Sequence, residues 1–408
     1  MRKTALLFLA IILSFFTCKD GKDETVQERL TPGMYRAELQ VSDTITLPFT
    51  FKVEAEDALE IHNADEIIEV DEISYRNDSV YIKPPVFEGE LIAKITNGAL
   101  KGDFVVKGKE RKVPFTAQKN TSRFDVIEDA KADISGNWET TFSPNNETES
   151  YKAKGVFKQI GNKVTGTFRT ETGDYRFLEG IVTGSTLKLS AFDGAHAFLF
   201  TAHVSDSTIT GTFYSGNHYK EPFEAKRNNN FTLKDANELT YLKEGYDSFA
   251  FSFPDANGKQ VTLNDKRFKD KVIVVQIMGT WCPNCLDESK YYADYYKNNK
   301  DKDLEFVSLA FEYAKTEAQA FNNIKRLQDR VGITYPILLA QTGSTSKDEA
   351  QKKLPMLNHV LSYPTTVFID KQGKVRKIHT GFNGPATGEK FTAFKLEFDT
   401  FITTLLEE

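Results

Sequence analysis

Between residues 33 and 228, apolar and polar positions alternate in short runs. Leu187, Leu189 and Ala191 fall on one side of the period, Lys188 and Ser190 on the other, and Ser79–Lys83 behaves the same way. A period of two over four to eight residues predicts half-buried strands. Asn77-Asp78, Asn97-Gly98 and Gly161-Asn162 punctuate the runs as hairpin turns. No long helical period interrupts this stretch. The pattern then changes. Val272–Met278 is a continuous apolar run, as in a strand covered on both faces. It leads through Gly279-Thr280 into a charged and aromatic segment, residues 286–298, with helical spacing.

The alternating region repeats itself. Gly33-Met34-Tyr35 recurs as Gly136-Asn137-Trp138, and Phe87-Glu88-Gly89 as Phe192-Asp193-Gly194. Gly102-Asp103-Phe104 recurs as Gly211-Thr212-Phe213, and Pro114-Phe115-Thr116-Ala117 as Pro222-Phe223-Glu224-Ala225. The four offsets are 103, 105, 109 and 108 residues. Four matches in one order predict a duplication: two tandem antiparallel sandwiches or small barrels over 31–122 and 132–228. One larger barrel built from both halves is the alternative. Residues 229–246, polar with spaced leucines, predict a partly helical linker, and 247–408 an α/β domain. The chain as a whole is therefore expected to be multidomain, all-β first and α/β last.

Composition changes this picture little. The 408 residues are too many for one small core, and 40% apolar with 27% charged residues is ordinary for a globular chain. The 32 Phe and 16 Tyr suit well-filled sheet faces. A net charge of −6 gives no reason to expect nucleic acid. His196 and His203 lie on or near predicted strands and read as hydrogen-bonded structure rather than as ligands.

The chain has three cysteines, Cys18, Cys282 and Cys285. The last two flank Pro283-Asn284 at the joint between the apolar strand and the helix. Residues three apart in a first helical turn lie close, so their sulfurs can bond. The free N–H groups and dipole of that helix end favour a thiolate. Cys282, at the cap, reads as the exposed nucleophile, and Cys285, one turn deeper, as the resolving thiol. Pro283 suits a first turn, where no N–H partner is needed. The competing reading is half a zinc site, which needs a second ligand pair that the sequence lacks. The expected redox group is therefore the Cys282–Cys285 disulfide itself, with no metal and no other cofactor.

Residues 1–18 read as an export signal: Arg2 and Lys3, then an apolar stretch over 4–16, then Cys18. Thirteen residues make about 20 Å of helix, short of the roughly 30 Å hydrocarbon core. Ser14-Phe15-Phe16-Thr17-Cys18 resembles a bacterial lipoprotein cleavage site, which makes Cys18 the expected lipidation site and residues 19–30 a tether. Ordinary signal cleavage beside a chance cysteine is the alternative.

The segment from 248 to 408 resembles the thioredoxin superfamily, and most closely its TlpA-like and ResA-like extracytoplasmic thiol–disulfide oxidoreductases. The resemblance is carried by Phe251-Ser252-Phe253-Pro254-Asp255, a turn at Gly258 before Val261-Thr262-Leu263, and the apolar strand running into Trp281 and the cysteine pair. It is also carried by Tyr363-Pro364-Thr365-Thr366-Val367-Phe368-Ile369-Asp370, with a turn at Gln372-Gly373 and a partner strand after it. It implies that Pro364 is a cis-proline facing the cysteines, with Tyr363 presenting its carbonyl to substrate and Thr365 supporting it. It also implies client proteins with disulfides as substrates, a membrane thiol carrier as electron donor, and a cell-envelope, periplasm-facing location. Lys19 after Cys18 favours the outer membrane. The sequence departs from thioredoxin at Gln276, where a buried Asp is usual, so another group is needed to take the Cys285 proton. Glu312, after the next strand, is nominated. Pro283-Asn284 also departs from the usual intervening pairs, so the redox poise is not transferable. Two rival functions are a thiol peroxidase and a binding lipoprotein whose β region holds a ligand. Thr280 stands two, not three, residues before Cys282, which disfavours the peroxidase.

Overall fold

The structure, a computed structural model, describes residues 27–408. The signal segment, Cys18 and most of the tether lie outside the described residues.

Both halves of the β region curl round until their first and last strands pair; the second closes fully, and the first is a barrel open along one seam. In the first, nine strands form one antiparallel sheet in which Gly33–Gln40 pairs with Thr46–Ala55 on one side and with Arg111–Lys119 on the other. Its two edges are Glu66–Val70 and Glu72–Arg76, consecutive strands with only Asp71 between them. One chain segment thus pairs backward in its first half and forward in its second, and the ring breaks only at Asp71. In the second half, eight strands from Gly136–Phe142 to Tyr219–Arg227 form a closed barrel, sealed by pairing of those two. The register shows why the repeat was visible. Leu39 faces Phe115 as Phe142 faces Phe223, and Ala93 faces Gly102 as Ala202 faces Gly211. A Cβ at Gly102 or Gly211 would collide with the carbonyl of the neighbouring strand, at Ile92 or Thr201 respectively.

Closed barrels abolish sheet edges but need full interiors. Trp138, Phe142, Phe168 and Phe200 fill the second barrel. Simple alternation fails on Thr186–Phe192, where Ser190 and Phe192 are buried as well. The outer face of this strand packs on the first barrel: the Phe192 ring stacks on Phe49 at 4.2 Å and meets Phe104 edge-on at 5.1 Å.

The segment 229–246 carries no helix, contrary to expectation. Its Asx turns explain this: Asn228 and Asp235 side chains accept from the N–H of Asn230 and Asn237, donors a helix would use. The segment runs instead along the C-terminal domain, where Thr380 N donates to Ala236 O and Lys243 N to Met356 O.

The C-terminal domain holds a five-stranded sheet in the order Ile337–Gln341, Leu304–Phe311, Val272–Met278, Thr365–Ile369, Val375–Thr380. The first three are mutually parallel and the last two antiparallel to their neighbours. Every residue of Val272–Met278 is buried, as expected of a central strand without alternation. Among the described residues four α-helices accompany it: α1 (Pro283–Asn298), α2 (Glu317–Val331), α3 (Lys347–Lys353) and α4 (Glu389–Glu407). Helix α4 buries Phe394, Phe398, Ile402 and Leu405, and Phe398 packs on Tyr291 and Tyr292 of α1. Helix α2 docks on the break in the first barrel: Arg326 pairs with Glu72 at 2.7 Å and Arg330 with Asp71 at 2.8 Å.

Candidate active site

The central strand ends at Met278, and the chain turns through Gly279 and Thr280 to start α1 at Cys282. Cys282 is the N-cap: its backbone is extended, and its sulfur accepts from Cys285 N at 3.2 Å. Pro283 takes the first helical position, where an N–H is not missed. A disulfide joins Cys282 and Cys285, with Cα atoms 5.2 Å apart. Cys282 is 6% exposed and Cys285 0%, so only one sulfur of the pair can be reached from outside.

The Tyr363–Pro364 bond is cis, and the Tyr363 carbonyl oxygen lies 3.4 Å from Cys282 Sγ. Thr365 opens the next strand and donates to Ser362 O at 2.9 Å, which fixes the bend. Trp281 donates from Nε1 to Phe311 O at 2.9 Å and meets Tyr363 edge-on at 5.6 Å. Lys109 of the first barrel sits 5.6 Å over the Trp281 ring. Asn284 faces the second barrel, where its amide lies 3.4 Å from Asp174 O. The fold thus brings Trp281, Cys282, Pro283, Asn284, Cys285, Tyr363, Pro364 and Thr365 to one place.

Two buried carboxyls support the motif. Glu312 follows Leu304–Phe311 and is fully buried, not an exposed strand-end residue. It accepts from Thr280 N at 2.8 Å and Thr280 Oγ1 at 2.7 Å. Burial pushes it up to about 7 against those two donors. The other is Glu288, which the sequence reading did not single out. It stands one turn beyond Cys285 on the buried face of α1, and accepts from Gln276 Nε2 at 2.8 Å, Tyr292 OH at 3.0 Å and Thr366 Oγ1 at 3.0 Å. Burial raises it to about 7 as well. Gln276 Nε2 also lies 3.4 Å from Cys285 O. The amide at the strand position therefore holds a carboxyl beneath the resolving cysteine. The signal was present as a Glu three residues after Cys285, but on a helix with many charges it looked like surface.

Glu288 gives a prediction with a definite sign. Its folded value lies above the ordinary carboxyl value, so its stabilising contribution is whole below pH about 4.5 and is lost as pH rises through about 7. Glu288→Gln is expected to raise the unfolding free energy at pH 7.5 by up to about 3 kcal/mol, with no gain at pH 4. The same variant is expected to slow release of the mixed disulfide by Cys285 at neutral pH. Urea midpoints at the two pH values check the first part, and single-turnover kinetics the second.

A second ionic group ties the motif to both barrels. Arg176 of the second barrel is buried, as are Asp193 beside it and Asp287 of α1. Its Nη2 pairs with Glu66 of the first barrel at 2.8 Å, and its Nη1 with Asp287. Its Nε lies 3.3 Å from Asp193 Oδ2, outside hydrogen-bonding geometry. Burial pushes Glu66 up, whereas His196 and Arg176 outweigh burial at Asp193 and hold it down to about 2. Asp174 accepts from Gly384 N at 2.6 Å and Arg176 N at 2.8 Å.

The redoxin family matches residues 243–393. The thiol-disulfide oxidoreductase ResA of Bacillus subtilis is 29% identical over 140 residues, covering 34% of this chain and 69% of that protein. The thioredoxin-like protein YneN of the same organism is 29% identical over 141 residues, covering 34% and 73%. The C-terminal domain is a TlpA/ResA-like member of the thioredoxin superfamily. A solved structure of a putative thiol:disulfide interchange protein DsbE from Chlorobium tepidum overlaps 40% of this chain and 99% of itself, at 18% identity and a TM-score of 0.30. The family's chemistry uses a redox-active disulfide, and in this TlpA/ResA-like domain the disulfide is Cys282–Cys285. The relatives align with about a third of the chain, so they bear on the redox domain and not on the barrels.

Proposed function

We propose that this thiol–disulfide oxidoreductase works outside the cytoplasm, tethered by a lipidated Cys18, and reduces disulfides of client proteins through Cys282 and Cys285. The observation that carries the reading is the unequal access of the two sulfurs, with Cys282 at the helix cap beside the Tyr363 carbonyl and Cys285 sealed beneath it. The Cys282 thiolate attacks one sulfur of the client disulfide. A Cys282–client bond forms, and the other client sulfur leaves as a thiolate that takes a proton. Cys285, deprotonated, then attacks Cys282 Sγ. The first client sulfur leaves, and the Cys282–Cys285 disulfide remains. Two electrons pass to the client, and a membrane dithiol carrier restores the pair. Glu288 and Glu312, both raised to about 7, suit proton transfer near neutral pH.

The test is a dithiol-driven assay in which wild-type protein catalyses reduction of a protein disulfide. A reduction potential in the range of strong oxidants, or no catalysis, contradicts the reductase reading. For the anchor, labelled fatty acid is expected in the wild type and absent from Cys18→Ser, which no longer fractionates with membranes. Equal fractionation of the two, without label in either, contradicts it.

A further inference from the structure

The second barrel has its mouth turned toward the C-terminal domain. It faces the redox motif across a cleft of about 1200 Å³. Cys282, Asn284 and Tyr363 form one wall, and Tyr175, Phe198 and Tyr219 of the barrel form the other. The barrel loop carrying Thr172, Gly173 and Asp174 is pinned to the redox domain. Ser362 Oγ donates to Thr172 O at 3.0 Å, Gly173 bridges to Phe382, and Asp174 accepts from Gly384 N. The wall is therefore fixed over the motif, and Lys109 of the first barrel covers Trp281.

Two polar atoms on the redox side of this cleft, Asn284 Oδ1 and Tyr363 OH, are buried without a hydrogen-bond partner among the described residues. Buried polar groups are nearly always paired, so Asn284 and Tyr363 keep unused bonding capacity beside the reactive sulfur, which a side-chain rotation would turn to a peptide backbone. The opposite wall sets Tyr151, Tyr175, Phe198 and Tyr219 among polar and charged groups such as Lys152 and Glu221. The volume exceeds the roughly 300–1,000 Å³ typical of small-molecule sites.

We infer that the second barrel selects the substrate: Cys282 receives its disulfide from a flexible, extended polypeptide segment threaded between barrel and motif, with an apolar or aromatic side chain against the barrel wall. This rests on the disulfide-exchange reading above and adds the class of client. The extended backbone supplies alternating donors and acceptors for Asn284 and Tyr363. The rings of the barrel wall supply contact that is tolerant of sequence. A disulfide on the convex face of a compact folded protein does not reach a sulfur that is 6% exposed beneath an overhanging barrel.

The experiment uses the full chain with dithiothreitol as electron source and three substrates. These are a disulfide-linked pair of flexible peptides with Tyr beside each Cys, a compact protein with one solvent-accessible disulfide, and hydroxyethyl disulfide. The peptide pair is expected to exceed the folded protein at least tenfold in kcat/KM. Tyr219→Ala trims the barrel wall and Ser215→Trp fills the cleft. Each is expected to lower the peptide-to-hydroxyethyl-disulfide ratio of kcat/KM about tenfold, mainly through KM. Equal rates on peptide and folded protein, or an unchanged ratio in both variants, overturns the inference and leaves the disulfide-exchange reading standing. Failure to reduce any of the three disulfides overturns both.

Discussion

Cys282→Ser is expected to lose at least about a thousandfold of the disulfide-exchange rate, whereas Cys285→Ser keeps the first attack and loses only turnover. The asymmetry follows from position. Both cysteines stand in the first turn of α1, but only Cys282 lies at the cap with its sulfur turned to the cleft and the Tyr363 carbonyl. A serine hydroxyl in its place does not ionise near neutral pH and forms no bond to sulfur that exchange can use. Cys285 is fully buried and meets only a sulfur already bound to Cys282. Stopped-flow reduction of a peptide disulfide separates the two. Wild type turns over, Cys285→Ser gives one stoichiometric burst of leaving thiol, and Cys282→Ser gives none. A burst from Cys282→Ser, or activity within tenfold of wild type, contradicts the assignment of roles.

Arg176→Ala is expected to cost about 3–5 kcal/mol of stability and to loosen the redox domain from both barrels. Arg176 is the cation shared by Glu66, Asp193 and Asp287, one carboxylate each from the first barrel, the second barrel and α1. Removing it strands like charges in a buried, low-dielectric junction. Protonation relieves the strain, so the loss is expected to be larger at pH 7 than at pH 4.5. Replacing Arg176 together with Glu66 and Asp287 by apolar residues of similar size is expected to recover most of it. Urea unfolding of the full chain checks these signs, and proteolysis within 229–246 reports the loosening. A cost below about 1 kcal/mol for Arg176→Ala would show that the domains are held by other contacts, such as the Phe192–Phe49 stack.

These two predictions also mark how far the sequence can be read. The redox motif was legible because its chemistry is local: a buried strand, a cap, two cysteines one turn apart. The duplication was legible because Gly102 and Gly211 answer the same backbone crowding, and Phe115 and Phe223 the same inward position beside the closing strand. The manner of closure was not legible. A split at Asp71 is a matter of which neighbour a strand pairs with, and alternation is silent on pairing. The segment 229–246 misled because spaced leucines resemble a helix, while Asn228 and Asp235 take the donors that a helix needs. Glu288 was hidden because burial of a helix face depends on what packs there, here Gln276, Tyr292 and Thr366. Arg176 and Asp287 lie 111 residues apart on different domains, and only their assembly gives either a reason to be charged.

The most direct test of the central claim is mass mapping of the full-length Cys285→Ala protein after incubation with a disulfide-linked peptide. The account predicts one peptide bound through a disulfide to Cys282, stable until a dithiol is added. No adduct, or an adduct at any other residue, contradicts it.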